Sequence, residues 1–153
     1  MVRHAKAGSR HKWDGDDRDR PLSGRGRTQA KTIGKRLRRE RVTGLYSSPY
    51  VRCMQTLVPL GEHLGLDVVA DHRLEEGVSF EASLDLLAEA GDGAVLCSHG
   101  DVIVDLLDAL VRRGTEFVTP PDWRKGSICI LDAPDSEGRI ATAVVEPPPN
   151  DRG

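Results

Sequence analysis

Arg3 and His4 sit in the run Met1-Val2-Arg3-His4-Ala5-Lys6-Ala7-Gly8, where a nitrogen nucleophile follows a fixed cation at the end of a short apolar strand. The pairing suits phosphoryl transfer. A neutral imidazole can attack phosphorus in line through one ring nitrogen when the other donates to a backbone carbonyl, and a covalent phosphohistidine results. Arg52 and the turn Ser98-His99-Gly100 recur at successive β-α units downstream. Charge spreads over the equatorial phosphoryl oxygens in the transition state, where Arg3 and Arg52 can each supply paired N–H donors and His99 a further one. Each residue alone also reads as surface histidine, helix salt-bridge partner or structural histidine; the set carries the reading. This chemistry calls on no metal ligand and no cofactor.

A leaving alkoxide needs a proton. In Arg73-Leu74-Glu75-Glu76-Gly77, Glu76 is the first candidate acid and Glu75 the second. Asp101, directly after the Ser98-His99-Gly100 turn, is a third, with a helix cap as its alternative role. Arg20, Ser98 and Gly100 are read as substrate-binding. Arg10-His11-Lys12, Arg18 and Arg20 offer cations for further anionic groups, or simply solvated charge. Competing chemistries fail on spacing. Pro59, Ile103 and Asp135 stand six positions after the three cysteines, where a Cys-x5-Arg loop needs arginine. Leu96 stands where the first glycine of a serine nucleophile elbow belongs. Asp14-Gly15-Asp16-Asp17 ends on Arg25 where a calcium loop closes with Glu, and no Gly-x4-Gly-Lys-Ser/Thr loop occurs.

Strand and helix signals alternate, which predicts a three-layer α/β/α sandwich around a mostly parallel sheet. Val2 ends a first strand. Ser9 to Gly24 is a long polar loop at the top of the sheet, and Gly26 to Glu40 a helix with Ala30, Ile33 and Leu37 on one face. Leu45 to Ser48 is a second strand. Pro49 opens a helix through Val51, Met54 and Val58 to Gly65, with a kink or break expected at Pro59. Asp67 to Ala70 is a third strand and Glu81 to Ala90 a helix. Ala94 to Cys97 is a buried strand, followed by a helix striped by Ile103, Leu106, Leu107, Leu110 and Val111 with Gly114 as C-cap. Ser127 to Leu131 and Ile140 to Val145 are strands, joined as a hairpin across Asp135 to Gly138. In such a sheet ligands bind beyond the carboxyl ends of the strands, where Arg3-His4, Arg52 and His99 all fall.

A length of 153 residues fits one domain, read as 1–146, and the proline-rich end 147–153 is expected to be a disordered tail. At 38% hydrophobic and 30% charged residues the composition is that of a soluble globular chain, and no apolar run approaches the ~20 residues of a membrane span. The absence of a leader pattern and of CxxC spacing points to a reducing cytoplasm. Between Arg20 and Arg41 nine Lys or Arg meet a single acid, Glu40, which suits a solvated helix face or a dock for an anionic partner. Nucleic acid is disfavoured, because no aromatic residues interleave with this run. Only Met1 and Val2 precede Arg3, against the ~5 residues of an ordinary core strand, so further residues upstream are expected.

These residues resemble the histidine phosphatase superfamily, whose signature is an Arg-His-Gly turn with a second arginine and a second histidine. Arg3, His4, Arg52 and His99 match it, and Glu76 matches the acid of an Arg-Leu-x-Glu pattern. Arg20-Pro21-Leu22-Ser23, Gly26, Gln29-Ala30 and the stretch Ser47 to Thr56 extend the likeness over most of the chain. It implies a phosphoglycerate mutase-like fold and a metal-independent phosphatase. Ala5 at the signature glycine and the short Val78-Ser79-Phe80 link after Gly77 are similar to the small SixA-like branch, which implies an open site and a phosphohistidine on a protein as substrate. The opening is also similar to the phosphatase half of Nudix–histidine phosphatase fusions, which implies a small phosphorylated metabolite, such as a nucleotide or sugar phosphate, and a Nudix partner domain or protein. A non-catalytic phosphate-binding module is the remaining alternative.

Overall fold

The computed structural model describes residues 1–150. Its strands are β1 (Val2–Arg3), β2 (Gly44–Ser47), β3 (Val68–Ala70), β4 (Ala94–Ser98), β5 (Glu116–Phe117), β6 (Ile128–Leu131) and β7 (Thr142–Glu146); its helices are α1 (Gly24–Leu37), α2 (Val51–Leu64), α3 (Phe80–Ala90) and α4 (Gly100–Arg112). The strands form one sheet in the order β3-β2-β4-β1-β6-β7-β5. Pairings from β3 through β1 are parallel, β6 runs antiparallel to β1 and to β7, and β5 is parallel to β7.

Alternation along the strands divides the core in two. Val95, Cys97 and Ile128 face one side, where Ile33 and Leu37 of α1 and Leu57 and Leu60 of α2 cover them. Leu96 and Cys129 face the other, under Leu86 of α3 and Ile103, Leu106 and Leu110 of α4. The expected sandwich is therefore present, helices on both faces.

Several boundaries and details differ from the sequence reading. α1 begins two residues early because Ser23 caps it, its Oγ accepting the Gly26 N–H at 3.1 Å. Pro59 does not break α2: the helix runs from Val51 to Leu64 with the proline inside it. Pro59 packs where Gly34 of α1 lacks a side chain, a Cβ there falling 3.5 Å from the proline Cβ. Val111 leaves the apolar stripe of α4 and is 50% exposed. The polar loop after β1 is organised by two short 3-10 turns, Arg10–Lys12 and Asp17–Asp19, and by a bridge between Ala7 and Leu22. Strand β5 escaped notice because two residues show no periodicity. The hairpin between β6 and β7 turns as expected, with the Asp135 carboxylate accepting the N–H groups of Glu137 and Arg139. Of the expected tail, residues 151–153 lie outside the described residues. Among the described residues no helix is long and apolar enough to cross a membrane.

Candidate active site

The chain leaving β1 is pinned on every side. The His4 N–H donates to the Ser98 carbonyl of β4 at 3.1 Å, and the Gly126 N–H reaches the carbonyls of Arg3 and His4 at 3.2 and 3.1 Å. Gly126 holds this place with φ +90°, where a Cβ would also collide with the Gln29 side chain at 2.4 Å. The Ala5 N–H donates to Thr56 Oγ1, which itself donates to the Arg52 carbonyl of α2. His4, Ala5 and the backbone of Arg52 thus form one hydrogen-bonded unit.

His4 is buried, and its Nδ1 lies 2.8 Å from the Ala5 carbonyl. A carbonyl only accepts, so Nδ1 carries the proton and Nε2 keeps its lone pair. Burial foremost, and the nearby His99, Arg52 and Arg3, press the His4 pKa down to about 3 against the opposing pull of the Ala5 hydrogen bond. The imidazole is neutral at any ordinary pH, the state a nucleophile needs.

His99 follows β4 and stands edge-on to His4, ring centroids 5.5 Å apart. Its Nε2 contacts Ser48 Oγ at 2.8 Å and Cys53 Sγ at 3.6 Å, and its buried Nδ1 has no hydrogen-bond partner. The Arg3 guanidinium donates to the Trp123 carbonyl and crosses the start of α4. It fits there because residue 100 is glycine, since a Cβ would lie 2.7 Å from Arg3 Cζ. Arg52, in the first turn of α2, is 1% exposed and sits 4.9 Å over the Tyr50 ring. Its two terminal nitrogens donate to Asp17, at 2.8 Å to the carbonyl and 3.1 Å to the carboxylate.

Arg3, His4, Arg52, His99, Gly100, Arg20 and Glu76 all line one open cavity of about 760 Å³. Ser98 does not join them: it is fully buried and its Oγ donates to the Leu74 carbonyl. The three candidate acids also separate. Glu76 lies 3.3 Å from Arg10 and 3.7 Å from Arg52 at the cavity wall. Glu75 turns away to bind Arg18 at 2.8 Å and His72. Asp101 lines the cavity but accepts the Gly77 N–H at 2.8 Å, tying the acid-bearing loop to α4 rather than capping its own helix. Arg18 is drawn off by Glu75, whereas Arg10 reaches the cavity.

Three contributors were absent from the sequence reading. Asp17 accepts from Arg20 at 2.9 Å and from Arg52 at 3.1 Å, with Arg10 at 3.5 Å. Burial works to raise its pKa, but the Arg20 hydrogen bond and the charges of Arg52, Arg20 and Arg10 outweigh it, and the net shift is downward. Its signal was the three-residue spacing to Arg20. Ser48 was visible only as part of Ser47-Ser48-Pro49. Lys125 had no signal, for it arrives in an irregular segment tied down by the Gln29 side chain on its carbonyl. Among the described residues no group of three or more His, Cys, Asp or Glu is placed to hold a metal ion.

The sequence profile of the histidine phosphatase superfamily (branch 1) matches residues 1–83. An 8-oxo-(d)GTP phosphatase of Mycolicibacterium smegmatis is 32% identical over 163 aligned positions, which cover 99% of this chain and 48% of that protein. The chain spans about half the length of the curated relatives it matches. Among solved structures, SixA of Agrobacterium tumefaciens is similar at 28% identity and a TM-score of 0.63, over 72% of this chain and 73% of that one. The protein histidine phosphatase SixA complexed with tungstate superposes with a TM-score of 0.73 over 92% and 90% of the two chains; at 21% identity the likeness is one of fold.

Proposed function

The chain belongs to the histidine phosphatase superfamily, and from that premise we propose that it is a metal-independent phosphatase whose nucleophile is Nε2 of His4. One observation carries the proposal: a buried, neutral imidazole with Nδ1 committed to the Ala5 carbonyl, in a cavity lined by Arg3, Arg52 and His99. The phosphorus–nitrogen bond to His4 forms as the bond to the leaving group breaks, and the imidazolium that develops keeps its Nδ1–H on the Ala5 carbonyl. Arg3, Arg52 and His99 take up the charge on the equatorial oxygens. Glu76 is the candidate acid that gives a proton to the leaving oxygen. As a carboxylate it then accepts a proton from the water that attacks phosphohistidine, and phosphate and neutral His4 are regenerated.

Two substrate classes fit this corner. A SixA-like phosphohistidine phosphatase is supported by the openness of the cavity and by the likeness to the SixA structures. Phosphohistidine leaves more readily than an alkoxide and leans less on Glu76. A small phosphorylated metabolite is supported by the cavity volume, within the ~300–1,000 Å³ of small-molecule sites, and by cations beyond the phosphoryl corner. This second reading extends to a Nudix hydrolase as partner domain or protein, because half of the mycobacterial relative lies outside the match.

A turnover panel of phosphohistidine peptides, nucleotides, sugar phosphates and phosphoglycerates, with wild type and Glu76→Gln in parallel and with and without chelator, tests the proposal. Chelator-resistant turnover that His4→Ala abolishes is expected. Undiminished phosphate release by His4→Ala contradicts it. A large loss in Glu76→Gln selects an alkoxide leaving group, and a small one selects phosphohistidine.

A further inference from the structure

The phosphoryl corner accounts for Arg3, Arg52, His4 and His99, yet the same cavity carries two more cations, Arg10 and Lys125. Lys125 is half-buried, and among the described residues its ammonium has neither a hydrogen-bond nor an ion-pair partner. Burial first, then the charges of Arg3, Arg20, Arg52 and Arg10, push its pKa down. An unpaired ammonium in a cation-rich wall is an arrangement that folding alone does not favour, because desolvation and like-charge repulsion both oppose it. Arg10 is loosely held. Its contacts to Asp17 and Glu76 are long, at 3.5 and 3.3 Å, and its side chain is largely exposed. By contrast, Arg20 and Arg18 are fully engaged, the first by Asp17 and the Gly8 carbonyl and the second by Glu75.

The acids lining the cavity do not cancel this surplus. Glu76 already faces both Arg10 and Arg52, the Asp101 charge acts on Arg3 and its carboxylate holds the Gly77 N–H, and Asp105 is exposed on α4. A phosphoryl dianion held by Arg3 and Arg52 leaves Lys125 without a counter-charge, and Arg10 with only its long contacts to Asp17 and Glu76.

We propose that Lys125 and Arg10 form a second anion subsite of this cavity, so that its substrate carries another anionic group, phosphoryl or carboxylate, near the phosphoryl group that is transferred. This rests on the metabolite reading of the same site and narrows it to bis-anionic small molecules. Lys125 contributes a compact point charge, and Arg10 closes over the second group by exchanging its long contacts for a charge-assisted one.

Calorimetric titration with non-hydrolysable probes tests the subsite without turnover: methylphosphonate with one anionic group, methylenediphosphonate with two phosphonates, and phosphonoacetate with a carboxylate as the second. Wild type is expected to bind methylenediphosphonate at least about tenfold tighter than methylphosphonate, the scale of one charged hydrogen bond. Lys125→Gln should erase most of that preference. Arg124→Gln, which removes the neighbouring cation outside the cavity, should keep it. A matching gain with phosphonoacetate assigns a subsite for any second anion, and a gain with methylenediphosphonate alone assigns one for phosphoryl. Equal affinity of wild type for all three probes overturns the proposal even where a variant fails to fold. So does an equal loss of preference in Lys125→Gln and Arg124→Gln, which would show a general field rather than a site. Because nothing turns over, these outcomes stand apart from the fate of His4 as nucleophile, which His4→Ala decides by phosphate release.

Discussion

At the His4–His99 corner the side chains are fixed by the sheet and the chain leaving it, whereas on the rim Arg10 and Arg20 are gathered by one loop carboxylate, Asp17. In the corner Arg3 and His4 are held by backbone groups, the Ala5 carbonyl for the His4 ring, the Trp123 carbonyl for Arg3 and the Ser98 carbonyl for the His4 N–H, while His99 meets the buried side chains of Ser48 and Cys53. On the rim the partners are carboxylates on a loop, partly open to water. The proposed nucleophile thus has its tautomer set by the backbone. Of the two rim cations Arg20 is buried and engaged, whereas Arg10 is largely exposed and loosely held. Arg52 joins the two regions, buried in α2 yet held by Asp17.

That contrast can be broken or sharpened by substitution. In the corner, His4→Ala is expected to lower kcat/KM by at least ~10⁴-fold, the scale of a lost nucleophile; steady-state phosphate release measures it. Arg52→Ala should follow with a loss of about 10²–10³-fold in kcat, as for a donor that serves the transition state. On the rim, Asp17→Asn keeps the shape but removes the charge that collects Arg20 and Arg52. A loss of about tenfold is expected, and Asp17→Glu should recover part of it, a rescue that a purely structural role would not produce. Last, Glu75→Gln should change stability by less than ~1 kcal/mol and leave turnover nearly unaltered, since it breaks only partly exposed pairs with Arg18 and His72.

The corner also has a pH signature. The folded chain holds His4 at about 3, below its ordinary value of 6.5. The unfolded chain therefore binds a proton that the folded chain refuses. Stability from this group is complete above about pH 6.5 and declines as pH falls toward about 3. His4→Gln should flatten that acid limb, seen as a smaller difference between urea midpoints at about pH 7 and about pH 4.5. An unchanged acid limb would mean that His4 is not held neutral by burial.

The same division governs what could be read from the sequence. Arg3-His4, Arg52 and His99 each lie within a residue or two of an element boundary, so placing the elements placed the side chains. Ser98 shares its turn with His99, but its side chain goes into the core, to the Leu74 carbonyl, a contact that no spacing reveals. Sequence spacing does not separate Glu76, which faces Arg52, from its neighbour Glu75, which meets Arg18. Asp17 offered a charge pair in a polar loop, where such pairs are common and mostly solvated. Lys125 reaches the cavity only because Gly126 hydrogen-bonds to the carbonyls of Arg3 and His4, over more than a hundred positions of sequence. Pro59 does not end α2, although a proline inside a helix removes one of its hydrogen bonds.

The most direct test of the account is the chemical identity of the phosphoenzyme. Rapid acid-free quenching during turnover, followed by peptide mapping and phosphorus–nitrogen NMR of the trapped species, should find phosphate on His4 alone and joined through Nε2, the nitrogen that the Ala5 hydrogen bond leaves free. Phosphate on Nδ1 of His4, on His99, or on no histidine during active turnover would contradict it.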